Sequence, residues 1–175
     1  MHPPATTAPA FEETQWFFRR WWWLLAGLTL LVLATPVWAL LARPQGLKAV
    51  LITAPLVGGL LVGLWYLKLI VWVDAAGIHY RFPPMLWRWR HWPWTEFRRV
   101  FPRTYSPLGD YGGWGIRGLP GNLAYNVWGP AGLQLIFQSG NKLLLGTQRP
   151  ADLRATLAAL QAAFPTGPIA LEAKS

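Results

Sequence analysis

The chain contains no cysteine, few acidic residues and few charged residues of either sign. Without cysteine it forms neither disulfide bonds nor thiolate metal sites, and it has no cysteine nucleophile. Charged residues make up 13% of the 175 residues, whereas soluble domains typically contain about 25%. Hydrophobic residues make up 53% of the chain. This composition indicates a membrane protein.

Acidic residues and histidines are too few and too scattered to predict an active site. The chain has 7 Asp and Glu and 3 His. His79 and His91 lie in strand-like segments with no carboxylate pair close by, whereas a catalytic or metal site needs several convergent groups. We therefore predict no catalytic residue, no metal site and no cofactor, and interpret the chain as non-enzymatic.

Two uncharged runs dominate the first part of the chain. Residues 21–42 form a run of 22 residues without a charge, and residues 49–67 form a second run of 19. A helix rises about 1.5 Å per residue, so the first run would span roughly 33 Å, close to the ~30 Å of a bilayer core. The pattern predicts a transmembrane hairpin over residues 16–67, with helices at about 21–42 and 49–67.

The distribution of Lys and Arg around these runs predicts an orientation. The loop between them carries two basic residues, and the flanking segments carry six. Because cytoplasmic segments are enriched in Lys and Arg, both termini are expected in the cytoplasm. The sequence thus predicts a multi-pass protein of the inner cell membrane, N-in and C-in, with a cytoplasmic domain.

The rest of the chain predicts one domain over residues 68–164. β-branched and aromatic residues alternate with polar residues over several short segments separated by turn signals. The segment 150–164 changes to a helical period, with apolar residues at steps of four, three and four. Residues 1–15 are interpreted as a disordered tail and residues 165–175 as a loose tail. The predicted strands cover 69–73, 78–82, 87–90, 123–128 and a hairpin of 133–138 with 142–145.

Five segments carry a resemblance to a known group of proteins. They are Val73–Ile78, Arg81–Pro84, Tyr105 with Pro107, Tyr111–Arg117 and Leu145–Pro150. With this order of elements, the chain resembles small uncharacterised bacterial membrane proteins that combine a two-helix hairpin with a pleckstrin-homology-like (PH-like) domain. The resemblance implies an α+β chain, in which the transmembrane hairpin precedes a PH-like antiparallel β-barrel or sandwich capped by a C-terminal helix. It implies no activity.

The most distinctive loop of the domain is rich in glycine. Such glycine density permits left-handed backbone conformations and close backbone approach, so backbone N–H groups and an arginine could surround an anion. The other interpretation is a tight loop held against the barrel by its aromatic residues. The candidate ligand or partner loop consists of Tyr111, Gly112, Gly113, Trp114, Gly115 and Arg117.

Arginine and tryptophan interleave in the segment 87–103. Anionic headgroups attract arginine, and tryptophan prefers the membrane interface. A core position for Trp87 and Trp89, with the arginines on a solvated face, is the other interpretation, and nucleic acid is not expected as a partner. The candidate membrane-surface contacts are Arg88, Arg90, Arg98, Arg99 and Arg103.

These observations combine into a functional expectation. The chain is expected to be a membrane-anchored, PH-like binding or scaffold module at the inner leaflet, without enzymatic activity. Its expected partners are the lipid bilayer, in particular anionic lipids, and an unidentified membrane protein. The alternative is an enzyme, or a subunit of one, that acts on lipid or envelope substrates at the membrane interface.

Overall fold

Residues 10–42 and 46–171 are described by the computed structural model of this chain. The chain divides into two compact units. The first joins the residues up to Gln15 with those from Lys68 onward, and the second is Trp16–Leu67. The sequence predicted a domain over 68–164, so the contribution of the N-terminal segment to that domain was not foreseen.

The first unit begins with a four-stranded sheet. A sharp turn connects its second and third strands, because the Asp74 Oδ1 atom accepts hydrogen bonds from the N–H groups of Ala76 (2.8 Å) and Gly77 (2.9 Å). The sheet therefore has a tight hairpin where the sequence predicted a turn. In spatial order its strands are β1 (Phe11–Trp16), β2 (Lys68–Val73), β3 (Gly77–Phe82) and β4 (Leu86–Pro93).

A second sheet of five strands completes the β-structure of this unit. Its strands are β5 (Phe97–Thr104), β6 (Gly115–Leu119), β7 (Asn122–Asn126), β8 (Ala131–Phe137) and β9 (Lys142–Gly146). Their spatial order is β5-β8-β9-β7-β6. The antiparallel hairpin of β8 and β9 is confirmed.

The prediction of a PH-like antiparallel β-barrel or sandwich is wrong for one strand pairing. Strands β7 and β9 run parallel, with Asn122 opposite Lys142 and Tyr125 opposite Leu145. The physical reason is that β9 lies between β8 and β7. Each hairpin, β6–β7 and β8–β9, is antiparallel within itself, and joining the two through their second strands makes the central pair parallel.

The two sheets pack face to face around an apolar core. On the first sheet Leu69, Val73, Ile78 and Phe82 are fully buried. Rings also connect the sheets, since the centroids of Tyr80 and Tyr125 are 5.5 Å apart. Apolar area removed from water stabilises the unit by about 25 cal/mol per Å².

The C-terminal helix was predicted correctly. It is the last helix of the chain and spans Pro150–Ala163, with Leu153, Leu157 and Leu160 buried. Proline at the first helical position starts the helix without loss of a hydrogen bond, because that N–H has no partner inside a helix. Phe164, which completes the apolar pattern in the sequence, is 50% exposed.

Both predicted tails contain ordered structure. Residues 11–15 belong to β1, because the buried polar side chains of that strand find hydrogen-bonding partners in the domain. Near the other end, the Val100 N–H donates to the Pro168 carbonyl and the Ala170 N–H donates to the Val100 carbonyl, both at 2.8 Å. This segment thus forms hydrogen bonds with backbone groups of the edge strand β5 that would otherwise have no partner within the sheet. Residues 1–9 and 172–175 lie outside the described residues.

The second unit consists of two helices, α1 (Phe17–Ala42) and α2 (Gly46–Tyr66). Their bounds extend beyond the predicted starts at residues 21 and 49. Over the part of the chain that is described, no helix combines the length and the apolar character needed to cross a membrane.

The predicted transmembrane hairpin is therefore wrong, and so are the multi-pass inner-membrane location and the N-in, C-in orientation that depended on it. The prediction rested mainly on the absence of charge over two runs. Absence of charge does not by itself give a helix the apolar character that spanning requires.

Candidate functional site

The turn between β3 and β4 exposes large apolar side chains. Phe82 is fully buried at the end of β3 and pairs with Leu86 at the start of β4. Met85, which lies between these two residues in the chain, is 67% exposed, and Trp87, which follows Leu86, is 65% exposed. The hairpin thus has a fixed base and an apolar tip. We call Met85 and Trp87 the hairpin tip.

Three of the five arginines that were predicted to contact a membrane are exposed, and one of them, Arg88, directly follows Trp87 of the hairpin tip. Arg88 and Arg90 are on β4, and Arg98 is on β5. None of the three forms an ion pair with another described residue. Their charges are therefore available to an anionic partner.

The other two predicted arginines have partners within the domain. Arg103 contacts the carboxylate of Asp110 at 2.5 Å, which offsets its charge. Arg99 lies over the ring of Phe101, with 4.7 Å between the guanidinium carbon and the ring centroid. The structure thus separates the predicted set into exposed charges and charges with intramolecular partners.

The two tryptophans that flank Arg88 have different environments. Trp89 packs against Trp72 of β2, with ring centroids 4.9 Å apart. Arg81 lies over the ring of Trp89 at 4.7 Å, in a cation–π arrangement. Trp87 is the exposed member of the pair. Trp89 therefore stabilises the sheet, and Trp87 is the tryptophan available to a partner.

A buried histidine and aspartate lie near the β2–β3 turn. The Nε2 atom of His79 is 3.1 Å from the Oδ2 atom of Asp74. The ring of His79 stacks on that of His91 with centroids 4.2 Å apart. Burial and, to a smaller extent, the neighbouring His91 lower the pKa of His79, and the Asp74 carboxylate opposes them. Among the described residues, no group of three or more His, Asp or Glu could hold a metal ion.

The glycine-rich candidate loop is a closely packed turn. A short helix, α3 (Pro107–Tyr111), precedes it, and Gly112 ends that helix in a left-handed conformation with φ of 74°. The Trp114 ring stacks on Trp128 with centroids 5.3 Å apart. Arg117 donates a hydrogen bond from Nε to the Trp114 carbonyl at 3.0 Å. These contacts hold Trp114 and the Nε–H of Arg117 within the turn.

The side chain of Asn126 forms hydrogen bonds that stabilise the same loop. Its Oδ1 atom accepts a hydrogen bond from the Gly115 N–H, and its Nδ2 atom donates to the Tyr105 hydroxyl, both at 2.9 Å. Tyr105 in turn meets Tyr111 edge to face at 5.9 Å. The six predicted loop residues thus lie together, but the contacts that join them are those of a structural turn.

The sequence analysis missed a buried polar cluster that joins β1 to the segment before the last helix. Glu13 accepts hydrogen bonds from the Thr147 hydroxyl (2.6 Å) and from the Gln148 N–H (2.7 Å). Gln15 donates from Nε2 to the Gly146 carbonyl at 2.6 Å. The alternation of Phe11, Glu13 and Gln15 is the sequence signal for this strand. The signal is weak because Glu13 and Gln15, two of the three side chains that point inward, are polar. The segment Leu145–Pro150 therefore has a structural role, because it forms the hydrogen bonds that attach β1 to the domain.

Comparisons with protein families, with curated proteins and with solved structures find no match to this chain.

Proposed function

We propose that this chain is a binding module without catalytic activity, and that it docks on anionic lipid surfaces through the hairpin tip and the adjacent Arg88. The observation that carries the proposal is the joint exposure of Met85 and Trp87 next to an arginine without an ion pair, Arg88. An apolar tip next to a cation suits the headgroup region of a membrane. The apolar side chains can enter the interface while the cation stays beside the anionic headgroups.

The physical basis has two parts. Tryptophan is favoured at the membrane–water interface, since its ring is apolar and its indole N–H finds polar partners there. Each Lys or Arg close to an anionic surface adds about 1 kcal/mol, and salt screens that attraction. The net charge of +9 over the whole chain acts in the same direction.

The β2–β3 turn does not contribute to this surface. Many eukaryotic PH domains bind phosphoinositides through basic residues at the corresponding turn, and the sequence here places Asp74 there instead. The Asp74 carboxylate is buried and accepts backbone hydrogen bonds within the turn. The proposal is accordingly a surface attraction to anionic lipid, without recognition of one headgroup.

Vesicle flotation with the full-length protein tests the proposal. Phosphatidylcholine vesicles with and without phosphatidylglycerol are compared at low and high salt. We expect binding to the anionic vesicles that decreases with salt. Arg88→Gln should weaken it about fivefold, and Trp87→Ala should weaken it further.

Arg154→Gln is the matched control, because Arg154 is an exposed arginine on the C-terminal helix, away from the hairpin in the chain. It should leave flotation nearly unchanged. Equal binding to neutral and anionic vesicles would contradict the proposal. The same holds if Arg88→Gln and Arg154→Gln reduce binding to the same extent.

A further inference from the structure

A cavity of about 250 Å³ opens between the two sheets. Two pairs of aromatic rings contribute to its walls. Tyr80 faces Tyr125 with centroids 5.5 Å apart, and Trp92 meets the edge of Phe137 at 5.0 Å. Each pair joins one sheet to the other, so both walls are anchored in strands. Leu123 and Leu143 add further apolar surface.

Polar donors line the same cavity. The hydroxyl groups of Tyr80 and Tyr125 belong to side chains that are 5% and 8% exposed. Burial raises the pKa of both tyrosines above the ordinary value of 10.0, so both hydroxyls keep their protons at neutral pH. A protonated tyrosine hydroxyl donates one hydrogen bond. Two residues that line the cavity, Tyr80 and Tyr125, therefore carry donors suited to an anion.

Two cations accompany these donors. Lys142 lines the cavity, and Arg90 is the cross-strand partner of Tyr80. The positive charge of Arg90 acts on both tyrosines, where it opposes the effect of burial. Neither cation forms an ion pair with another described residue. The lining includes one acid, Glu96, which is exposed.

We infer that this cavity binds a small aromatic carboxylate. The aromatic walls would hold the ring, and the carboxylate would accept hydrogen bonds from the tyrosine hydroxyls while facing Arg90 and Lys142. Ligand sites combine an apolar lining with a few convergent polar groups in this way, and hydrogen bonds to an ionised acceptor are stronger than neutral ones. The volume limits the ligand to one or two rings. This inference is independent of lipid docking, which uses the hairpin tip.

Ligand-observed NMR with 1-naphthoate and the full-length protein tests the inference. We expect saturation transfer to the naphthoate protons, and a weaker signal from the neutral analogue 1-naphthamide. Tyr125→Phe, Arg90→Gln and Lys142→Gln should each raise the dissociation constant about tenfold, the effect of losing one charge-assisted interaction. Tyr125→Phe removes the hydroxyl and keeps the ring that packs between the sheets.

Arg88→Gln and Trp87→Ala serve as matched controls, because both side chains are exposed and neither lines the cavity. They should weaken vesicle flotation and leave naphthoate binding unchanged. Near-UV circular dichroism shows whether each variant keeps its packing. The inference is overturned if naphthoate and naphthamide bind equally, or if the three cavity variants, folded as wild type, bind naphthoate as wild type does.

Discussion

The Thr147 hydroxyl donates a 2.6 Å hydrogen bond to the Glu13 carboxylate, from a position 134 residues later in the chain. Both side chains are buried, with 4% and 5% of their surfaces exposed. The pair joins the N-terminal strand β1 to the segment that begins the last helix. Because the whole second unit lies between these two residues in the chain, the contact joins the two separate chain segments that form the first unit.

Removal of the Glu13 carboxylate should destabilise the first unit. Glu13→Ala leaves the Thr147 hydroxyl and the Gln148 N–H without their acceptor, and loss of a hydrogen bond to a charged group typically lowers the free energy of unfolding by about 1.5–3 kcal/mol. Urea denaturation followed by near-UV circular dichroism measures the change. A double-mutant cycle with Thr147→Val should give a coupling energy, because the two residues are in contact.

Glu12→Ala is the control for this prediction. Glu12 precedes Glu13 on the same strand and is exposed, so loss of its side chain should change the stability by less than about 0.5 kcal/mol. Equal effects of the two alanine variants would show that the buried hydrogen bonds do not contribute to stability.

The same carboxyl group should make stability depend on pH. Burial raises the pKa of Glu13 above its ordinary value of 4.5, although hydrogen bonds from Thr147 and Gln148 oppose the shift. Between 4.5 and the folded value, the folded chain binds more protons than the unfolded chain, so the free energy of unfolding decreases as pH rises. Glu13→Gln should remove this decrease, whereas Glu12→Gln should keep it. Urea denaturation series across that pH interval measure the slope.

The elements that the sequence predicted are those with strong local patterns. Strands β2 and β3 are rich in β-branched and aromatic residues and lie on either side of a turn that Asp74 closes. The last helix shows its period through Leu153, Leu157 and Leu160, all of which are buried. For these elements the local sequence preference and the tertiary packing agree, so the sequence pattern alone was sufficient to predict them.

The features that could not be predicted from the sequence depend on contacts between segments that are distant in the chain. Strand β1 places Glu13 and Gln15 in the interior, which reverses the usual relation between polarity and exposure. The parallel pairing of β7 with β9 leaves no local signal, since it arises from the association of two hairpins. At the candidate surface, the sequence could not separate Arg103 from Arg88, because Asp110 reaches Arg103 through the fold of the intervening turn.

Loss of the Asn126 amide should destabilise the glycine-rich turn. Asn126→Leu has a similar volume, but leaves the Gly115 N–H and the Tyr105 hydroxyl without their partner. Each buried group that loses its hydrogen bond lowers the free energy of unfolding by about 1–3 kcal/mol. Urea denaturation gives the total, and hydrogen exchange at the Gly115 amide should accelerate. Asn122→Leu, at an exposed position of the same strand, is the control and should have little effect on either measurement.

Stability should also decrease on acidification because of His79. Burial, aided by His91, lowers the pKa of this buried side chain below the ordinary value of 6.5. Between the folded pKa and 6.5 the unfolded chain binds more protons than the folded chain, so the free energy of unfolding falls as pH falls through that interval. His79→Phe should remove this decrease while it keeps a ring to stack on His91. Urea denaturation series below neutral pH measure it.

The groups that face His79 allow a sharper form of this prediction. The Asp74 carboxylate favours the protonated imidazole, so Asp74→Asn should lower the pKa of His79 further and widen the interval over which acid destabilises the chain. Asparagine keeps the side-chain oxygen that accepts from the Ala76 and Gly77 N–H groups, so the turn is retained. His91→Phe removes the electrostatic effect of His91 that lowers the pKa of His79, and should narrow the interval. If both variants shift the acid transition in the same direction, electrostatic interaction with His79 is not its cause.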